Sequence, residues 1–142
     1  MKHILITGAS SGIGYQTALH LANQGCSVIA IARNIEKLRL LQSEHDQIEI
    51  FQVDLNDNKS LALFSEYFRQ QKIVLNGIIF NAGSLILKPF LELTEADWQS
   101  QFNTNFFANV RLLKSVFSSL ADRSHLLSIG SMGGFLGSSK YP

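Results

Sequence analysis

Three glycines stand near the start of the chain, in the run Gly8-Ala9-Ser10-Ser11-Gly12-Ile13-Gly14. Ile4, Leu5, Ile6 and Thr7 lead into them, and a stretch with helical spacing follows. Strand, glycine loop and helix, in that order, is the setting that a dinucleotide-binding loop requires. Glycines let the backbone approach a pyrophosphate closely. The helix start behind them offers free N–H donors and about half a positive charge. A tight turn with no ligand is the other reading of a glycine trio at this spacing. A P-loop is disfavoured, because the chain has no Gly-Lys dipeptide to supply that loop's phosphate-binding lysine. A metal site is not expected either. His3, His20, His45 and His125 lack ligand spacing, and Cys26 is the single cysteine.

In full, Thr7-Gly8-Ala9-Ser10-Ser11-Gly12-Ile13-Gly14 resembles the fingerprint of the classical short-chain dehydrogenase/reductases. The resemblance implies that Gly8, Ser10, Ser11, Gly12, Ile13 and Gly14 bind the cofactor. Further marks of that family follow in order along the chain. Asp54-Leu55 stands where the family places an aspartate that hydrogen-bonds the adenine. Asn81-Ala82-Gly83 matches the last three residues of the family's Asn-Asn-Ala-Gly motif, while Phe80 departs from its first. Trp98, with Asn105 seven residues later, resembles the family's helix-four pattern, in which the asparagine belongs to the catalytic set. Ser128-Ile129-Gly130-Ser131 resembles the end of the fifth strand, with Ser131 at the catalytic serine.

Each of these residues also has a plainer reading. Asp54 can cap a turn, Asn81 can serve a loop, and Ser131 can be a loop serine among glycines. Asn105 can be a satisfied structural asparagine beside the apolar Phe102 and Phe106, where an unpartnered amide would cost a few kcal/mol.

The family's proton donor is a tyrosine in Tyr-x-x-x-Lys, and these 142 residues contain no such motif. Tyr141 comes ten residues after Ser131, with Lys140 before it and Pro142 after it, and reads as a loop tyrosine. The expectation is therefore a cofactor-binding part, truncated after the fifth strand, with the family's last strands and helices missing and little turnover of its own.

The cofactor choice follows from the end of the second strand. An NAD enzyme usually carries an acid there, against the adenine ribose. This chain has Ala32 and then Arg33. No carboxylate repels a 2′-phosphate, and a guanidinium can bind one through charge-assisted hydrogen bonds worth roughly 1.5–3 kcal/mol. At about 1.4 kcal/mol per decade, that favours NADP over NAD by roughly ten- to a hundredfold. Arg33 can alternatively be a solvated start to the next helix. Ser11 supplies no second basic residue. The reaction implied is hydride transfer between NADP(H) and a carbonyl or alcohol substrate. A dinucleotide-binding module without catalysis, such as a sensor or scaffold, is the alternative.

The elements that must hold these residues alternate along the chain. Strands are expected at 3–6, 27–32, 48–53, 74–80 and 125–129. Helices are expected at 12–23, after Asn34, after the Asn56-Asp57-Asn58 cluster, and from a Thr94/Asp97 capping box to about Leu120. In the last helix Trp98, Phe102, Phe106, Val110, Leu113, Phe117 and Leu120 form an apolar stripe, read as buried. Gly130 to Pro142 reads as loop. The pattern is a Rossmann-like α/β fold: a doubly wound parallel sheet in the order 3-2-1-4-5, with the cofactor at the strands' carboxyl ends.

The composition, 46% hydrophobic and 16% charged with net charge +1, is that of a single globular domain. Lys and Arg occur singly, so neither nucleic acid nor a membrane is an expected partner. One cysteine and an apolar strand beginning at about His3 point to a cytoplasmic setting. The resemblance implies a homo-oligomer, dimer or tetramer, in the full-length family member.

Overall fold

The structure is a computed structural model and describes residues 1–133. Five parallel strands form one sheet in the order β3-β2-β1-β4-β5. They are β1 (His3–Thr7), β2 (Ser27–Ala32), β3 (Ile48–Gln52), β4 (Leu75–Phe80) and β5 (Leu120–Ser128). The helices are α1 (Gly12–Asn23), α2 (Ile35–Ser43), α3 (Asn58–Gln71), α4 (Glu95–Phe102) and α5 (Ala108–Val116). A π-helical turn, Asn103–Phe107, joins α4 to α5.

Alternate residues of each central strand feed two cores. Leu5, Ile29, Ile31 and Ile78 meet Leu61, Phe64 and Phe68 of α3 and Leu112 and Val116 of α5. Ile6, Val28 and Ala30 meet Ala18 and Ala22 of α1 and Leu38 and Leu41 of α2. Burial on both faces explains why these strands read as unbroken apolar runs. The Rossmann-like, doubly wound arrangement and its strand order are as the sequence predicts.

The caps follow the side chains. Asn34 and Asp57 accept the N–H groups of Lys37 and Lys59 at the starts of α2 and α3. Gly25 follows α1 at φ +83°, the left-handed conformation of a C-terminal glycine cap.

Thr94 and Asp97 form the expected capping box, and Lys88 reaches the same carboxylate at 2.8 Å. The Lys88 ammonium, then the two Thr94 hydrogen bonds, hold the Asp97 carboxyl at about 2, against an ordinary value of 3.8. A lowered native pKa stabilises the fold above the unfolded value and ceases to do so as pH falls through the native one. The melting-temperature advantage of the wild type over Asp97→Asn is expected to be constant above about pH 4 and to disappear toward about pH 2. An advantage undiminished at pH 2 contradicts this.

The last helix and strand depart from expectation in two ways. The helix ends at Val116, with a 3-10 turn at Phe117–Ser119, and Leu120 already belongs to β5. Its paired run, His125–Ser128, is close to the expected strand; a register shift separates it from Leu120. The aromatic part of the apolar stripe is also not buried, while Leu113 and Leu120 pack against the core. Phe102, Phe106 and Phe117 are 57%, 56% and 66% exposed, and the buried face is Ala108, Leu112 and Val116. Val110 lies about half a turn from Leu112, so a helix that seats Leu112 on the sheet turns the aromatic side outward. Cys26 is half-buried.

Candidate functional site

Thr7 is fully buried where β1 meets the glycine loop. Its hydroxyl oxygen accepts the N–H groups of Asn81 at 3.0 Å and Ala82 at 2.9 Å. The Asn81 amide returns two bonds, donating to Thr7 O at 3.1 Å and Gly8 O at 3.2 Å. These four bonds stitch the end of β4 to the glycine loop. Ala9 N–H ties the same loop to Ile31 O at the end of β2.

The glycines serve this contact in different ways. Gly8 has φ +66°, and a Cβ there would stand 2.8 Å from Ala82 Cα. A Cβ on Gly14 would stand 2.4 Å from Asn81 Nδ2 and 2.6 Å from Gly8 O. Gly12 has φ +58° but open space around it, so its requirement is conformational.

The carboxyl ends of β1–β4 border a cleft of about 400 Å³. Gly8, Ser10 and Ser11 line one side, and Asn81, Ala82 and Gly83 line another. Ala32 and Arg33 lie at the end of β2, with Asp54 and Leu55 beyond β3. Gln52 donates to Arg33 O at 2.9 Å and holds that turn. The Asp54 N–H donates to Ser60 Oγ, and Asp54 Oδ1 accepts from Asn56 N–H at 2.9 Å. Asp57, not Asp54, caps α3.

Gly12, Ile13 and Gly14 form the first turn of α1 rather than the cleft lining. Ile13 is 61% exposed. The N-cap Ser11 makes no side-chain cap bond, and the first turn carries no acidic residue. That leaves the helix's positive end open to an anion. Glycine backbone, an open helix start and an exposed cation across one cleft fit a phosphate-bearing dinucleotide.

Asn105 and Ser131 lie outside this lining. Asn105 sits in the π turn and is exposed, not flanked by a buried stripe. Its Oδ1 accepts from Ser84 N–H and its Nδ2 donates to Ser84 O, both at 2.9 Å. The side chain is thus spent on the loop that follows Gly83. Ile129 N–H donates to Phe80 O at 2.9 Å, carrying β5 pairing one residue past the strand. Ser131 follows two residues later, its hydroxyl accepting from Gly133 N–H at 3.1 Å. Lys140 and Tyr141, and most of the predicted C-terminal loop, lie outside the described residues.

Thr7, which the sequence shows only as part of the Thr-Gly run, is not among the sequence candidates. Arg111 of α5 carries no sequence signal; its Nε donates to Leu55 O at 3.2 Å and its Nη2 to Asn56 Oδ1 at 2.6 Å, at the edge of the cleft.

A parallel sheet of this order, with its cleft at the carboxyl ends beside a glycine loop, defines a Rossmann-like protein. A sequence profile described as short chain dehydrogenase matches residues 2–142. The chain belongs to that family. It is 35% identical over 140 residues to a 3-ketodihydrosphingosine reductase of Bacteroides thetaiotaomicron, covering 94% of this chain and 48% of that protein. It is 30% identical over 119 residues to an NADPH-dependent 1-acyldihydroxyacetone phosphate reductase of Saccharomyces cerevisiae, covering 81% and 40%. The crystal structure of a short-chain dehydrogenase from Streptomyces avermitilis superposes with a TM-score of 0.87 at 28% identity, covering 98% of this chain and 52% of that one. The chain thus spans about half the length, or less, of these relatives. Among the described residues, no helix is long and apolar enough to cross a membrane.

Proposed function

We propose that these residues form the cofactor-binding part of an NADP-dependent oxidoreductase acting on a small carbonyl or alcohol substrate. The observation that carries the reading is Arg33 lining the cleft beside Ala32, at the position where an NAD enzyme presents an acid. The bound nicotinamide supplies or accepts the hydride. The chain's residues hold the cofactor and the substrate oxygen, and none of them is assigned the proton. Gly8, Ser10, Ser11 and the α1 start receive the pyrophosphate, and Arg33 receives the 2′-phosphate. Asp54 and Leu55 border the adenine, and Asn81-Ala82-Gly83 backs the nicotinamide side. Ser131 holds the substrate oxygen. Asn105 acts by holding the loop at Ser84. The NADPH-dependent yeast relative supports the cofactor choice. The outward aromatic side of α4 and α5 supports self-association.

Arg33→Ala tests the preference. The wild type is expected to bind NADPH roughly ten- to a hundredfold more tightly than NADH. The variant is expected to bind the two alike, measured by reduced-nicotinamide fluorescence. Equal affinities in the wild type would refute the reading.

A second reading is dinucleotide binding without turnover. It is testable on these 142 residues by themselves, which contain no Tyr-x-x-x-Lys. General acid catalysis by a positioned side chain contributes about 10²–10⁴-fold. A preparation of these residues alone is therefore expected to oxidise NADPH no faster than a blank, across a panel of ketones and aldehydes. Robust turnover from a polypeptide of verified mass sinks this expectation.

A further inference from the structure

We infer that Arg111 is a positioning residue that fixes the Asp54 wall of the cleft. For what fills the cleft, the inference rests on the dinucleotide reading above; the latch itself rests on geometry. From α5, Arg111 Nε donates to Leu55 O at 3.2 Å, and Nη2 donates to Asn56 Oδ1 at 2.6 Å and to Asn103 O at 3.3 Å. One guanidinium thereby joins the loop after β3 to the π turn.

Its acceptors are all neutral oxygens, and among the described residues Arg111 forms no ion pair. A cation used in this way sets geometry rather than balancing charge. The planar fork of arginine serves several acceptors at once, which a lysine ammonium at the same place does not reproduce.

The hold is passed on through Asn56. Its side chain reaches Thr104 Oγ1 at 3.5 Å, also in the π turn, and its N–H donates to Asp54 Oδ1 at 2.9 Å. The Asp54 carboxylate is thus oriented by Asn56 of its own loop, and Arg111 acts on it only through Asn56. On the opposite side, the same π turn holds the loop after β4 through Asn105 and Ser84. Thus one π turn anchors two walls of the cleft. Asn103 O accepts the π-helical bond from Ala108 N–H and, with its second lone pair, the bond from Arg111 Nη2.

The test compares Arg111→Met, Arg111→Lys, Asn56→Ala and the Arg111→Met/Asn56→Ala double variant. Two readouts are used: NADPH affinity by fluorescence titration, and amide hydrogen exchange at Asn56 and Asp57. Arg111→Met is expected to weaken NADPH binding about tenfold, that is, by about 1.4 kcal/mol. The same variant is expected to speed exchange at Asn56 and Asp57 while leaving Ile4–Ile6 unchanged. Arg111→Lys is expected to recover only part of the affinity. The double variant is expected to bind no worse than Arg111→Met, because both substitutions cut one connection. Wild-type affinity in Arg111→Met, full recovery in Arg111→Lys, or unchanged loop exchange would each overturn the inference. If the wild type itself fails to bind NADPH, the cofactor reading falls, and the exchange comparison still decides the latch.

Discussion

Gly14→Ala is expected to lower stability by about 3 kcal/mol or more, and to abolish measurable NADPH binding. The added methyl meets Asn81 Nδ2 at 2.4 Å and the Gly8 carbonyl oxygen at 2.6 Å. Neither neighbour yields freely. Gly8 is backbone, held at φ +66° against Ala82. The Asn81 amide is fixed by its bonds to Thr7 O and Gly8 O. Relief requires α1 to lift off the loop, or Asn81 to give up both bonds at about 1 kcal/mol each. Gly12→Ala is the control. It meets no neighbour within 4 Å, and its cost is that of a left-handed alanine, about 1–2 kcal/mol. Thermal melting of both variants should rank Gly14→Ala well below Gly12→Ala. The reverse order would mean that loop conformation, not the approach of α1 to β4, limits this site.

The second large effect is expected at Thr7. Valine has nearly the same shape but no hydroxyl. Thr7→Val removes the acceptor for the Asn81 and Ala82 N–H groups in a fully buried position. An unpaired buried donor costs about 1–3 kcal/mol, so two cost about 2–6 kcal/mol. For a domain stable by about 5–15 kcal/mol, that is a large share of the total. Thr7→Ser keeps the oxygen and loses only a methyl, so it should stay within about 1.5 kcal/mol of the wild type. Chemical denaturation of the three proteins checks this. If valine proves as stable as serine, the hydroxyl is not the stitch between β1 and β4.

Both predictions concern long-range contacts, and these mark where the sequence stopped being informative. The central strands were legible because both faces are covered, so β2 reads as a plain apolar run. The caps at Asn34, Asp57 and Thr94 were legible because capping chemistry is local. The contact between Thr7 and Asn81 joins residues 74 apart and leaves no local pattern. Arg111 and Asn56, 55 apart, are equally silent. The aromatic stripe failed for a different reason. Helical periodicity identifies an apolar side but not which neighbour covers it. Here Ala108, Leu112 and Val116, smaller and easily overlooked, take the sheet, and the aromatics face outward. The candidate site was legible as a set of loop residues along the carboxyl ends of the strands. Its geometry was not. The resemblance places Asn105 in the catalytic set; the bonds of its amide to the Ser84 backbone, 21 residues away, leave no local pattern.

On the proposed reading, the cleft between the glycine loop, Arg33 and Asp54 takes a phosphorylated dinucleotide. Titration of the chain with NADPH, followed by amide NMR, tests it most directly. The account predicts saturable shifts concentrated at 8–14, 32–34, 54–56 and 81–84, with NADH producing the same pattern only at higher concentration. Shifts scattered over the surface, or none at saturating NADPH, would contradict it.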